Sequence, residues 1–317
     1  MTQAQQNPFP FSDSNKRYHT YDYYLRHRFG GKVAKLPLDA GFTCPNIDGR
    51  CGRGGCIYCS DRGSGDFAGA CEHPIALQIA DQKKLFARKW DVSRCIAYFQ
   101  AHTNTYAPVE RLRSCFEEAL AQEGIVGINI ATRADCLPDD VVEYLAELAE
   151  RTVLTVELGL QTSNDETAKR INRGHGFAEF CTGVDKLRSA NPHIGVGVHL
   201  ILGLPGEDDE TMLRTVRDVA ALRPEMVKFH LLHVLRGTQL ARLYEAGAYE
   251  PLERERYIRL VADALELLPP ETVIGRLTGD GKAEDLLAPI WSQRKTTVIN
   301  DIDKLLFARS SYQGIGV

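Results

Sequence analysis

The chain has 317 residues, 44% apolar content and a net charge of −4. These values fit one large globular domain, or one domain with extensions. They give no bulk positive charge to mark a nucleic-acid binder, and no apolar run approaches the ~18–20 residues of a membrane span.

Residues 1–15 are polar and contain proline, and are read as a disordered N-terminus. Residues 16–35 set Lys16, Arg17, Arg26, Arg28, Lys32 and Lys35 against Asp22, with Tyr18, Tyr21, Tyr23, Tyr24 and Phe29 interleaved. That composition suits either RNA contact or an amphipathic helix packed on the body of the protein. Short apolar strands then alternate with helical stretches. Strands are expected at 33–38, 93–100, 125–130, 153–159, 195–202 and 226–232. Helices are expected at 108–122, 138–150 and 208–222, and from about 288 to 306. Strand–helix alternation implies βαβ units and a parallel sheet. Six units predict an α/β fold, an open or partial (β/α)6 barrel over 16–240, with 241–317 a helical C-terminal extension packed on it.

Four of the nine cysteines, Cys44, Cys51, Cys56 and Cys59, lie in one glycine-rich loop after the first strand. Glycine lets a chain wrap closely round an inorganic core, and thiolates are ligands for zinc, copper(I) and iron–sulfur clusters. All four could close round a structural zinc ion. Three could instead hold an iron–sulfur cluster with one iron left open. Spacing alone leaves both readings standing. A disulfide framework is disfavoured, because the cysteines are dilute, odd in number and not preceded by an apolar secretory stretch. The scattered Cys71, Cys95, Cys115, Cys136 and Cys181 fit a reducing, cytoplasmic setting.

Polar residues gather at the expected C-terminal strand ends, where parallel βα barrels carry their active sites. Tyr98 to Thr105 follow strand two, and Thr132, Arg133 and Asp135 follow strand three. Glu157 and Gln161 lie in and after strand four. Gly203-Leu-Pro205-Gly206-Glu207 follows strand five, and His230 and His233 lie at the end of strand six. His230 and His233 are three apart, so in a strand they face opposite sides, and they are not read as metal ligands. His199 is read in the same way.

The spacing Cys44-x11-Cys56-x2-Cys59 resembles the radical S-adenosylmethionine (SAM) enzymes. It matches their YhcC/YtqA-type branch, which is related to the Elongator catalytic subunit. The resemblance spans about residues 15–315, and its fold is a partial (β/α)6 radical SAM barrel. It implies that Cys44, Cys56 and Cys59 hold a 4Fe-4S cluster and that Cys51 is a bystander. SAM would chelate the open iron and be cleaved by one electron to a 5′-deoxyadenosyl radical, which abstracts hydrogen from substrate. By the same resemblance Phe99 and Gln100 meet the methionyl amine. Glu157 and Gln161, in Glu-x-Gly-x-Gln, contact the ribose and methionine. Arg173 pairs with the SAM carboxylate, and Gly203 and Pro205 belong to the adenine-binding turn. The branch relationship implies a tRNA substrate modified at the side chain of its wobble uridine, with an electron donor such as flavodoxin or ferredoxin. The alternatives are radical chemistry on a small metabolite such as a tetrapyrrole, and a zinc-stabilised, non-catalytic binding protein.

Overall fold

A computed structural model of the chain describes residues 7–60, 62–63, 65, 67–279 and 281–317. Its strands are β1 (Ala34–Leu38), β2 (Cys95–Phe99), β3 (Ile125–Thr132), β4 (Val153–Gln161), β5 (Gly195–Leu202), β6 (Met226–Leu231), β7 (Val234–Leu235), β8 (Val273–Arg276) and β9 (Leu286–Ala288). The helices are α1 (Tyr21–Phe29), α2 (Ile75–Phe86), α3 (Val109–Leu120), α4 (Asp139–Arg151), α5 (Asp165–Arg170), α6 (Phe177–Ala190), α7 (Asp209–Ala221), α8 (Gln239–Glu245), α9 (Arg254–Glu266) and α10 (Lys295–Ala308). Among the described residues, seven strands form one sheet in the order β1-β2-β3-β4-β5-β6-β8. The pairs β1–β2, β2–β3, β3–β4 and β6–β8 are parallel. This is the parallel α/β architecture expected from the sequence.

The chain divides into two compact units, one of residues 31–160 and 168–198, the other of residues up to 30 together with 161–167 and 199–317. The boundary expected at 240 does not separate them. In the first unit, β4 shows how sequence assigns the two faces. Leu154, Val156, Leu158 and Leu160 alternate with Thr155, Glu157 and Gly159, and the four leucine and valine side chains are fully buried. Successive Cβ atoms point to opposite faces, so the apolar set packs under the helices and the polar set faces the other way. On the helical side Phe99 meets Phe116 edge-on at 4.7 Å, and Phe116 stacks on Tyr144 at 6.2 Å. Each such pair adds about 0.5–1.5 kcal/mol beyond the area it buries.

The second unit binds its two chain ends together. Ile274 of β8 donates its backbone N–H to His19 O at 2.7 Å, and Thr20 bridges Ile274 in parallel. Gln313 is fully buried. Its Oε1 accepts from His19 N at 2.9 Å, while Nε2 donates to Pro269 O at 2.6 Å and Thr272 O at 2.8 Å.

Several expectations change. The sheet gains a seventh strand, β8, so the C-terminal extension is not wholly helical; four residues are too short to show a period. Residues 1–6 of the expected disordered tail lie outside the described residues, and within the largely exposed 7–15 one side chain is anchored. Phe9 is buried and stacks edge-on with Phe11 at 6.0 Å. The cations of 16–35 are largely consumed. Lys16 pairs with Asp303, and buried Arg17 donates to Ser311 O and lies over Phe307. Arg26 bridges Asp13 and Asp22, and Lys35 reaches Glu157. Packing, rather than RNA contact, therefore accounts for most of this segment. No helix among the described residues is long and apolar enough to cross a membrane.

Gln313→Ala removes three side-chain hydrogen bonds, taking the side-chain partner from the Thr272 carbonyl and the His19 amide, while Pro269 O keeps its bond from Thr272 N. The expected cost is about 2–4 kcal/mol, read as a lower urea midpoint at unchanged m-value. A loss under about 0.5 kcal/mol would show that this C-terminal staple carries no stability.

Candidate functional site

The cysteine loop leaves β1 and folds back on itself. Ile47 N and Asp48 N both donate to Cys44 O, at 2.8 and 3.2 Å, turning the chain at once. An Asp48–Arg53 bridge then closes a small excursion, and Gly55 N returns to Asn46 O at 2.9 Å. Gly55 sits at φ +71°, where a side chain is strained. The long gap of 11 residues is thus a folded detour that brings Cys56 back toward Cys44. Cys51 lies in the detour and is exposed, whereas Cys44, Cys56 and Cys59 are half-buried.

Cys56 and Cys59 share a hydrogen bond, and Cys44 acts on Cys59 electrostatically. The Cys59 contact lowers the Cys56 thiol to about 6, against the opposing effect of burial and with help from the Arg133 charge. The same contact holds Cys59 well above the ordinary thiol range. One proton shared between two thiols produces both shifts. Among the described residues, no three His, Cys, Asp or Glu side chains converge as a ready-made ligand group for a single ion.

Three residues that sequence reasoning did not assign to the site hold this loop. Asn46 is fully buried; its Nδ2 donates to Asn172 O, to Arg173 O at 3.4 Å and to Cys56 Sγ at 3.6 Å. Its Oδ1 is buried without a hydrogen-bond partner among the described residues. Asn172, in the left-handed region at φ 55°, donates from Nδ2 to Gly55 O at 2.7 Å and Arg53 O at 3.2 Å. Arg133 forks onto Asp135 at 2.9 and 2.7 Å and donates to Arg173 O at 2.7 Å. An asparagine two residues from a cysteine carries no signal by itself, and Arg133 was visible only as one of many polar residues beyond a strand.

The donor set fits an iron–sulfur cluster. Three soft thiols sit on one loop, an amide N–H is aimed at one sulfur, and a fixed guanidinium faces their negative charge. Such hydrogen bonds and charges tune cluster potential. His175 adds a buried imidazole 3.7 Å from Asp135, with neither ring nitrogen hydrogen-bonded among the described residues. Burial first, then the Arg173 charge, drives its pKa down to about 3, so it is neutral at physiological pH.

The other expected residues separate into distinct settings. Arg173 is 2% exposed, and its fork is turned onto backbone. Nε and Nη2 donate to His175 O at 3.0 and 2.7 Å, and Nη1 donates to Leu160 O. Backbone carbonyls thus take three of its N–H donors. Glu157 is fully buried and accepts from Lys35 Nζ and Asn129 Nδ2, each at 2.7 Å. Lys35 Nζ also lies 3.5 Å from the centre of the Tyr98 ring. Lys35, Tyr98, Asn129 and Glu157 thus form a charged network on the polar face of β1–β4. Phe99 buries its ring against Phe116, so only its backbone faces the strand end, where Gln100 N bonds Leu38 O at 3.2 Å.

In the second unit Gln161 closes β4 at φ 68°, a strained angle for a residue with a side chain. Gly203, at φ +92°, donates its N–H to Met212 Sδ at 3.2 Å, and its carbonyl accepts from Tyr249 Oη at 2.9 Å. A Cβ there would stand 3.0 Å from Leu252. Gly203 and Pro205 line a cleft of about 160 Å³ together with Glu207, Tyr249, Leu252 and Arg256. His199 and His230 rings lie 5.2 Å apart in the same unit.

The radical SAM superfamily model matches residues 46–219, and the Radical_SAM C-terminal domain model matches residues 224–307. The chain belongs to the radical SAM superfamily of enzymes. Within it, the chain falls in the YhcC/YtqA-type branch. YtqA of Bacillus subtilis, itself uncharacterized, is 52% identical over 98% of this chain and 96% of its own length. A tRNA uridine(34) acetyltransferase of Methanocaldococcus jannaschii is 27% identical over 163 residues, 50% of this chain and 29% of the acetyltransferase. The solved structure of an archaeal Elp3 from Methanocaldococcus infernus shares the fold with a TM-score of 0.68 at 18% identity. That match covers 89% of this chain and 64% of the Elp3 chain.

Lys35→Met leaves the buried Glu157 carboxylate with a lost charge partner and is expected to cost about 2–4 kcal/mol. Adding Glu157→Gln should recover more than half of that loss in a denaturation-based double-mutant cycle. Strictly additive costs would show that the two side chains are not energetically coupled.

Proposed function

We propose that this chain is a radical SAM enzyme acting on the wobble uridine side chain of tRNA, with Cys44, Cys56 and Cys59 as the ligands of a 4Fe-4S cluster. The arrangement of the loop carries the ligand assignment: a folded detour returns Cys56 to the neighbourhood of Cys44 and leaves Cys51 exposed. The relationship to tRNA uridine(34) acetyltransferases supports the substrate class.

When bound, the cluster and SAM supply one-electron cleavage of SAM to methionine and a 5′-deoxyadenosyl radical, the hydrogen-abstracting species. The chain's own residues prepare the site for it. The lowered Cys56 thiol presents a thiolate near neutral pH. Asn46 directs an N–H at that sulfur, and Arg133 offsets the local negative charge. Asn172 holds the carbonyls of Arg53 and Gly55, fixing the detour. Gly203, with no side chain and its carbonyl tied to Tyr249, leaves the strand-five turn open for close approach by a ligand. An electron donor such as flavodoxin or ferredoxin would complete the system.

Anaerobic reconstitution tests the reading. Wild-type protein should hold about four irons per chain and, with dithionite and SAM, release 5′-deoxyadenosine. Cys56→Ala should lose both properties and Cys51→Ala should keep both. Retention of iron in Cys44→Ala with loss in Cys51→Ala would move the ligand set to Cys51, Cys56 and Cys59. Nucleoside analysis of tRNA lacking modifications, after incubation with the active enzyme, should show a change at the wobble uridine. An unchanged nucleoside profile alongside robust SAM cleavage would overturn the tRNA assignment and point to a small-molecule substrate.

A further inference from the structure

We propose that the corner where α2 ends and β2 begins docks the phosphate backbone of RNA. The proposal rests on the tRNA reading above and adds to it the surface that holds the substrate. From 83 to 94 the chain carries Lys83, Lys84, Arg88, Lys89 and Arg94 against the single carboxylate of Asp91. In a protein of net charge −4 this is a marked local concentration.

The fold gathers these cations round one aromatic ring. Helix α2 ends as Ala87 N bonds Lys83 O at 2.8 Å, and the next turn closes with Lys89 N and Trp90 N both on Phe86 O, at 2.9 and 3.0 Å. This turn sets Arg88, Lys89 and Trp90 out into solvent. Trp90 is 49% exposed and neighbouring Leu85 61%. Lys32 Nζ lies 5.1 Å from the centre of the Trp90 ring. The Arg94 guanidinium lies against Gly31, 2.9 Å from where a Cβ would stand, and Ala34 N bonds Arg94 O at 3.0 Å. Two stretches of sequence in one unit thus place their positive charge on one surface.

The nearby carboxylates do not cancel it. Asp81 pairs with Lys84 at 3.1 Å, but both side chains are more than half exposed, where such pairs are worth little. Asp91 accepts from Ser93 N at 2.8 Å, and Glu123 offers its backbone carbonyl to Lys83. Favourable interaction with the negative end of α2 explains Lys83 and Lys84. It does not explain Lys32, Arg88, Lys89 or Arg94, which lie beyond the helix, nor an exposed indole among them. RNA accounts for both features: phosphates neutralise the cations, and an unpaired base stacks on the indole. The corner lies at the N-terminal end of β2 and the cysteine loop follows the C-terminal end of β1. The five residues of β2 span roughly 13 Å at about 3.3 Å per residue, a distance that one bound RNA bridges with a few nucleotides.

The test uses reconstituted holoprotein and fluorescence anisotropy with labelled, unmodified tRNA transcript, over about 50–200 mM salt. Wild type should bind with affinity that falls steeply with salt. The triple variant Lys84→Glu/Arg88→Glu/Lys89→Glu should bind at least about tenfold more weakly, with a log–log salt slope shallower by about two to three. Trp90→Ala should weaken binding about fivefold or more at an unchanged slope. Both variants should keep wild-type circular dichroism and RNA-free formation of 5′-deoxyadenosine, which shows the fold and cluster intact. Wild-type tRNA affinity in the triple variant would overturn the surface and leave the tRNA reading standing. No tRNA binding by wild type even at low salt would overturn both. Competition by polyglutamate as effective as by tRNA would assign the corner to an acidic protein and overturn the RNA proposal.

Discussion

The cysteine loop has no ladder of its own, and its shape depends on the node at Asn46, Asn172 and Arg173. The Arg173 carbonyl accepts from both Asn46 and Arg133, while the Arg173 guanidinium binds the carbonyls of His175 and Leu160. One arginine therefore couples the end of β4, the segment before α6 and the thiol loop. A buried guanidinium left without these acceptors would cost several kcal/mol. The residue is therefore a fixed strut, and its charge and carbonyl act together on the loop.

The polar face of the first unit follows from strand periodicity. Alternation in β4 sends leucine and valine under the helices and leaves Thr155, Glu157 and Gly159 on the other side. Parallel register then sets Asn129 beside Thr155 and Tyr98 beside Asn129. Lys35 joins them from β1 and brings a cation to a carboxylate that is fully buried. This network is internally compensated, with ammonium, carboxylate, amide and aromatic face all in contact. It offers a preorganised polar wall and no isolated charge.

Charge distribution changes most between sequence and structure. The N-terminal basic and aromatic segment suits either RNA contact or packing in sequence, and folding pairs or buries four of its six cations. The stretch from 83 to 94 attracts no notice as a motif, yet its turn places cations and an indole in solvent. Composition counts charges, whereas recognition depends on which of them remain uncompensated at the surface.

The sequence by itself determined six strands between Ala34 and Leu231 and the helices α3, α4 and α7 among them, because apolar periodicity of 2 and 3.6 is a local property, but it did not mark α2, α5 or α6. It also showed four cysteines gathered in one glycine-rich loop, with 11 residues between Cys44 and Cys56. It did not reveal β8 or the burial of Phe9, whose short segments carry no period and are stabilised by contacts far along the chain. Only the tertiary structure decided that Cys51 stands apart and that Asn46 faces Cys56 Sγ. Only it, too, showed that Glu157 is answered by Lys35 from a strand 122 residues away. Hydrogen bonds and ion pairs between distant segments depend on three-dimensional register, and no spacing along the chain encodes them.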